Sequence, residues 1–267
     1  MSRFPVQSVA LTIGGSDSGG GAGIQADLNT FAALGVFGTT VLTCLTAQNP
    51  RKVTGVQAAT PELVRQQIKA VFGELRPQAV KTGMLFSGSL ITAVVKSWPS
   101  RKAPPLVVDP VMIATSGAQL LKPAAIRQLT RDLFPLATLI TPNMDEAALL
   151  VGRPLKTFED LRNAAVELHL RHGCAVLVKG GHLRRETTAR DVFFDGTTEL
   201  ILSAPFVRGV STHGTGCTYS AAITGYLALG LELTKAVELA KNHITQAIAQ
   251  SVRVGRHSAL NPFWAER

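Results

Sequence analysis

One α/β domain, with a mostly parallel central sheet, helices on both of its faces and a small β extension, is the architecture this sequence predicts. Three observations carry that reading. Short β-like runs alternate with helical spacings almost from end to end of the 267 residues. Successive runs stop at a glycine, an acid or a lysine, where open α/β sheets place their ligands. No Pro/Ser-rich linker and no internal repeat divides the chain, so residues 1–267 read as a single domain.

The first run is Val9 to Ile13, and it stops at the loop Gly14-Gly15-Ser16-Asp17-Ser18-Gly19-Gly20-Gly21-Ala22-Gly23. Ile24, Leu28 and Phe31 then recur at i, i+4 and i+7, one face of a helix. Asp27 lies beside that apolar face, where a carboxylate is costly unless paired, so it is either structural glue or part of a site. Gly21-x-Gly23-x-x-Ala26 matches the loose dinucleotide fingerprint, but the next strand, Val41 to Thr46, lacks the acid that would hold a ribose. No Gly-Lys-Ser/Thr follows the glycines, which excludes a Walker loop. The loop either brings backbone close to a small ligand or makes a tight strand-to-helix turn.

Thr39 to Thr46 is strand-like and is expected to end in a polar turn, Ala47-Gln48-Asn49-Pro50. Gln48 carries both a donor and an acceptor, the equipment for the edge of a heteroaromatic ring, unless it is simply an exposed turn residue. Pro61 to Phe72 reads as a helix opened by proline. Ala79 to Leu85 contains a strand ending at Gly83, and Leu90 to Trp98 a helix.

Pro105 to Met112 is a buried-strand run carrying Asp109 at its C-terminal end, and Leu139 to Glu146 repeats that grammar. Asn143 can cap the next helix while Glu146, three residues on, closes a capping box. Leu155 to His172 is helical. Ala175 to His182 is a further strand-to-glycine ending that carries Lys179, and Asp191 to Asp195 with Glu199 to Phe206 reads as a hairpin around Gly196-Thr197-Thr198. The last two helices are expected over Tyr219 to Leu229 and Thr234 to Val252. Before the former stands Ser211-Thr212-His213-Gly214-Thr215-Gly216-Cys217-Thr218, small residues at a helix start, where free amides and the helix dipole favour an anion.

The totals narrow the function classes. An apolar share of 46% with 17% charged residues describes a soluble globular protein, and no apolar segment reaches the roughly 20 residues that span a bilayer, so a cytoplasmic protein without membrane contact is expected. The net charge of +9 comes from scattered Lys and Arg with no accompanying aromatic-basic module, which argues against nucleic acid and suits an anionic small molecule equally well. Cys44, Cys174 and Cys217 are odd in number and widely spaced, as in reduced proteins; the first two read as core residues. A zinc or nucleophile role for His213 with Cys217 finds no further ligand set and no group to orient the histidine.

Seven motifs stand in order along the chain: Gly-Gly-Ser-Asp-Ser-Gly-Gly-Gly-Ala-Gly-Ile-Gln-Ala-Asp-Leu at 14–28, Thr-Ala-Gln-Asn at 46–49, Lys-Thr-Gly-Met at 81–84, Val-Asp-Pro-Val-Met at 108–112, Thr-Pro-Asn-x-x-Glu at 141–146, Val-Lys-Gly-Gly-His at 178–182 and Thr-His-Gly-Thr-Gly-Cys-Thr at 212–218. Together they resemble the hydroxymethylpyrimidine/phosphomethylpyrimidine kinases of thiamine biosynthesis. The resemblance implies a ribokinase-like fold and ATP-dependent phosphorylation of 4-amino-5-hydroxymethyl-2-methylpyrimidine, then of its monophosphate, in one active site with Mg²⁺. It implies that Gln48 pairs with the aminopyrimidine, assisted by Gly15, Val111, Ala22 and Met84. It places Lys179 and the catalytic loop Gly214, Thr215, Gly216 and Cys217 along the ATP phosphates, Asn143 beside the nucleotide, and Asp109 and Glu146 in the metal region. Cys217 stands where related sugar kinases have Asp; a helix N-terminus is expected to lower its thiol pKa, which would suit a base, while a bound phosphate would oppose that shift. Pyridoxal kinase of the same fold and a non-catalytic ligand-binding relative are the rival readings, and a homodimer is left open. The segment Val254 to Pro262 departs from the Gly-His-Gly-type ending of the family.

Overall fold

The computed structural model describes residues 6–113, 120–181, 188–207, 209–210 and 212–266; Ser211 and His182, each part of a motif above, lie outside them. Strand β1 (Val9–Gly15) feeds the glycine loop and helix α1 (Gly23–Ala33). β2 (Phe37–Asn49) runs parallel to β1, and β3 (Lys52–Ala58) turns back antiparallel on β2. α2 (Pro61–Glu74), β4 (Ala79–Thr82), α3 (Gly88–Ser97) and β5 (Leu106–Val108) follow. Then come α4 (Pro123–Gln128), continued by one π and one 3₁₀ turn, β6 (Leu139–Ile140), α5 (Met144–Val151), α6 (Phe158–His172) and β7 (Ala175–Val178). β8 (Thr188–Phe194), β9 (Glu199–Pro205), α7 (Thr215–Ala228), α8 (Leu233–Ala249) and a small hairpin, β10 (Val252–Val254) with β11 (His257–Ala259), complete the order.

Nine strands form one sheet in the order β3-β2-β1-β4-β5-β6-β7-β8-β9. The six from β2 to β7 are parallel, and antiparallel strands flank them at both edges. Period-two alternation divides the core between two layers. Leu11, Ile13, Val80, Leu106, Val108, Ile140, Val176 and Val178 point to the face covered by α2 to α6. Ala10, Ala79, Val107, Leu139, Ala175 and Leu177 point to the face covered by α1, α7 and α8. Burial on both sides is why these strands read as unbroken apolar runs. α7 is apolar on nearly every side because it lies between α1 and α8. Gly225 lets α1 come close: a Cβ there would stand 2.8 Å from Leu34 Cδ1.

The chain leaves β1 for β2 on one side and later returns to β4 on the other. The sheet therefore changes direction at β1, and the strand ends there open a crevice for ligand.

Several expectations need correction. Gln48 and Asn49 do not sit in a turn; they are the last residues of β2, paired with Val53 and Lys52, and only Pro50 and Arg51 remain between the strands. The Asn49 side chain accepts from the amides of Arg51 and Lys52 and closes that turn. β3 escaped sequence reading because all seven of its residues are exposed, so no burial period marks it. α6 begins at Phe158, after a capping box of Thr157 and Asp160, rather than at Leu155. α7 begins four residues before Tyr219, and α8 ends at Ala249 because the chain turns into β10.

Candidate active site

The glycine turn predicted before α7 is present. Gly214 is its N-cap, with φ of +85°, and Thr218 N–H is the first to close a helical turn, onto the Gly214 carbonyl. The amides of Gly216 and Cys217 precede that closure, at positions that a helix start leaves without a partner inside the helix. Thr215 Oγ1 is enclosed and has no partner among the described residues. Gly214 is obligatory, since a Cβ would lie 1.8 Å from the Gly21 carbonyl oxygen.

Facing this turn are Lys179, directly after β7, and Asp109, directly after β5. Lys179 Nζ donates to Asp109 Oδ1 at 3.1 Å, and a Cβ on Gly216 would stand 3.3 Å from that same Nζ. Thr141 Oγ1 donates to Asp109 Oδ1 at 3.3 Å, and Ser220 Oγ lies 3.2 Å from Oδ2 with its single proton shared with the nearer Gly216 carbonyl at 2.9 Å. Burial disfavours the charged Lys179, but Asp109 and Glu146 outweigh it and hold its pKa above the ordinary lysine value.

Asn143 and Glu146 form the capping box predicted for α5: Asn143 Oδ1 accepts from Glu146 N at 2.9 Å, and Glu146 Oε2 from Asn143 N at 3.0 Å. The other carboxylate oxygen of Glu146 accepts from Met112 N at 2.9 Å. Burial raises its pKa to about 7, with Asp109 adding to the rise and Lys179 and the two amides opposing it. Among the described residues no three His, Cys, Asp or Glu side chains converge as a metal cage.

The other half of the site gathers at the ends of β1, β2 and β4. Gly15 is squeezed between Met84 and Cys44; a Cβ there would meet Met84 Cε at 2.7 Å and Cys44 Sγ at 2.8 Å. Ser18 ties the glycine loop to Gln48, donating to the Gln48 carbonyl and accepting its amide, both at 2.8 Å. Thr46 Oγ1 donates to the Ser16 carbonyl at 2.7 Å and lies 3.4 Å from Gln48 Oε1. Val111 has φ of +43°, a rare conformation for a β-branched residue, and its neighbour Met112 carries the amide bonded to Glu146. The sequence-predicted residues therefore fall into two adjoining groups: Gly15, Ala22, Gln48 and Met84 on the loop side, and Asp109, Asn143, Glu146, Lys179 and Gly214 to Cys217 on the anion side. Val111 joins the second group through its neighbour Met112, whose amide is bonded to Glu146.

Cys217 departs from expectation. Burial pushes its thiol up to about 11; Lys81 and the Gly23 N–H oppose that shift, while Asp27 and Asp109 reinforce it. Cys217 is only partly buried by surface exposure, yet the loss of water around its thiol exceeds the effect of the nearby donors, so the direction is opposite to the expected lowering. Asp27 is structural glue of a particular kind: it is almost wholly buried, bonded to Lys81 Nζ at 2.5 Å and accepting from Thr12 Oγ1 at 2.7 Å.

Sequence reasoning missed four supporting residues. Asp17 and His213 pair across the site, Nε2 to Oδ2 at 3.0 Å, and Thr141 and Ser220 meet Asp109. Asp17 and His213 lay inside quoted motifs, but nothing in their spacing said that they meet.

Residues 17–261 match the family described as phosphomethylpyrimidine kinase. The hydroxymethylpyrimidine/phosphomethylpyrimidine kinase of Rhizobium meliloti is 48% identical, the match covering 92% of each chain. A thiamine biosynthesis bifunctional protein of Geobacter sulfurreducens is 46% identical over 97% of this chain, which spans about half (52%) of that longer protein. An ADP complex of Bacillus subtilis pyridoxal kinase superposes with a TM-score of 0.89 at 36% identity, covering 98% of this chain and 99% of that one. The fold is ribokinase-like.

Proposed function

Given that the chain belongs to the phosphomethylpyrimidine kinase family, we propose that it transfers the γ-phosphoryl group of ATP to 4-amino-5-hydroxymethyl-2-methylpyrimidine and then to its monophosphate, giving the diphosphate used in thiamine biosynthesis. The chain is a phosphotransferase. One observation carries the assignment of roles: the amides at the start of α7 stand against the Lys179 and Asp109 pair, next to a glycine loop tied to Gln48.

In this reading Gln48 pairs with the edge of the aminopyrimidine, and Gly15, Ala22, Met84 and Val111 line it through backbone and apolar contact. The amides of Gly216 and Cys217, the Thr215 hydroxyl and the Lys179 ammonium take the phosphates, with Asn143 beside the nucleotide. Phosphoryl transfer asks for positioning and charge stabilisation more than covalent help, and fixed amides with a buried ammonium supply both. Its largely dissociative transition state leaves the attacking hydroxyl protonated until late, so a neutral Cys217 is compatible with turnover.

Asp109 and Glu146 suit an ion that arrives with phosphates and keeps its waters, because their oxygens are already bonded to protein donors. Mg²⁺ bound there would neutralise charge on the phosphates. A soluble, cytoplasmic setting with small-molecule partners completes the proposal.

A second reading, pyridoxal as substrate, is favoured by the overlay on the Bacillus subtilis enzyme. ADP release measured in parallel with the pyrimidine alcohol, its monophosphate and pyridoxal separates the two. The proposal expects turnover with both pyrimidines at a higher kcat/KM than with pyridoxal, and the reverse order would replace it.

A further inference from the structure

Asp17 and His213 are 196 positions apart, and the reading above gives neither of them a task. Asp17 is buried at the centre of the glycine loop. Its Oδ1 accepts from Gly19 N at 2.8 Å, and its Oδ2 from Ala22 N at 2.9 Å. That same Oδ2 lies 3.0 Å from Nε2 of His213. A carboxylate only accepts, so Nε2 carries the proton, whatever the charge of the ring. Burial works against the charged Asp17, but the His213 and amide donors more than offset it and hold its pKa below the ordinary value.

Backbone contact continues the link. A Cβ on Gly21 would stand 3.0 Å from His213 Cδ2, and one on Gly214 would strike the Gly21 carbonyl. The loop that carries Ala22 and the turn that opens α7 therefore touch along main chain, with no compressible side chain between them. One carboxylate fixes the Ala22 amide on the pyrimidine side. The same carboxylate fixes the residue before Gly214 on the phosphate side.

We propose that Asp17 and His213 are a positioning pair that couples the two substrate sites, so that a pyrimidine settling on the glycine loop tightens the phosphate turn and raises affinity for nucleotide. A displacement of the loop would carry the Asp17 carboxylate and the His213 ring bonded to it, and Gly214 follows in the chain with its Cα packed directly on the Gly21 carbonyl. The inference rests on the kinase reading of the site. Coupling of this kind is a binding free energy shared by two ligands and is reciprocal.

The test is calorimetric titration of AMP-PCP with Mg²⁺, with and without saturating 4-amino-5-hydroxymethyl-2-methylpyrimidine. It is run on the wild type and on the Asp17→Asn, His213→Ala and His213→Gln variants, with thermal midpoints recorded alongside. In the wild type the pyrimidine is expected to tighten AMP-PCP binding by about fivefold or more, the lower range of allosteric coupling. Asp17→Asn and His213→Ala should bring that factor close to one, and His213→Gln, which restores an N–H donor, should recover part of it. An unchanged factor in His213→Ala, even with a lowered midpoint, would make the pair merely structural and overturn the proposal. So would a wild type that releases ADP normally yet shows no coupling. A wild type that neither binds the pyrimidine nor releases ADP with it would overturn the kinase reading itself, and the pair's proposed task with it.

Discussion

Cys217 shows how far a residue's position can be legible while its state is not. Its place at the end of a small-residue turn was evident from the sequence. Its thiol pKa, up to about 11, follows from burial among groups that come from β4, β5 and α1. A thiol that stays protonated at neutral pH is a weak base, so Cys217→Ala should lower kcat by about tenfold, well short of the roughly 10²–10⁴ that removal of a general base costs. AMP-PCP affinity should change little. Steady-state rates and nucleotide titrations over pH 6–9 measure both, and a loss of about 10³-fold or more would give the thiol the proton after all. Gln48 teaches the converse: its chemistry was readable, but its seat on β2 depended on pairing with an exposed strand that carries no sequence period.

Between elements, buried ionic and polar links hold the two halves of the site in place. The Asp27–Lys81 pair joins α1 to β4 with both side chains almost fully removed from water. Breaking such a pair leaves an uncompensated charge, so Lys81→Met alone should cost about 3–5 kcal/mol in urea unfolding. Combining Lys81→Met with Asp27→Asn should recover most of that, because the carboxamide oxygen introduced in place of the Asp27 carboxylate still accepts from Thr12 and no lone charge remains. A double variant as unstable as the single would refute this account. On α8, His243 is buried, accepts from Trp264 Nε1 at 3.3 Å, and has its pKa pushed down to about 4 by burial. A histidine with a depressed pKa binds its proton more readily when unfolded, so stability should fall as pH drops from about 6.5 to about 4. The group contributes at most about 3 kcal/mol over that window. Urea midpoints against pH should be flatter in that interval for His243→Leu than for the wild type.

For the molecule as a whole, the sheet belongs to both core layers, since adjacent residues of each central strand face opposite sides. Neither layer keeps its apolar surface covered without the other, which argues for a single cooperative domain. The chain has two tryptophans, one in each layer: Trp98 packs on the first core and Trp264 on the second. Denaturation followed by the remaining tryptophan in Trp98→Phe and in Trp264→Phe should give the same midpoint, once each variant's own far-UV transition is used as its reference. Separate midpoints within one variant would show layers that unfold apart.

The sequence by itself determined the alternation of strands and helices, the apolar strands buried on two faces, the capping box at Asn143 and Glu146, and the glycine turn before α7. Each of these is a local property, written within a few residues by periodicity, capping chemistry or backbone freedom. The motifs also carried the family. Tertiary structure alone decided that Asp17 meets His213, that Thr141 and Ser220 meet Asp109, that Asp27 finds Lys81, and that its surroundings raise rather than lower the pKa of the Cys217 thiol. Those facts depend on which strand ends the sheet order brings together and on how much water is expelled there, and a hydrogen bond across 196 residues or a desolvated thiol leaves no mark in local spacing.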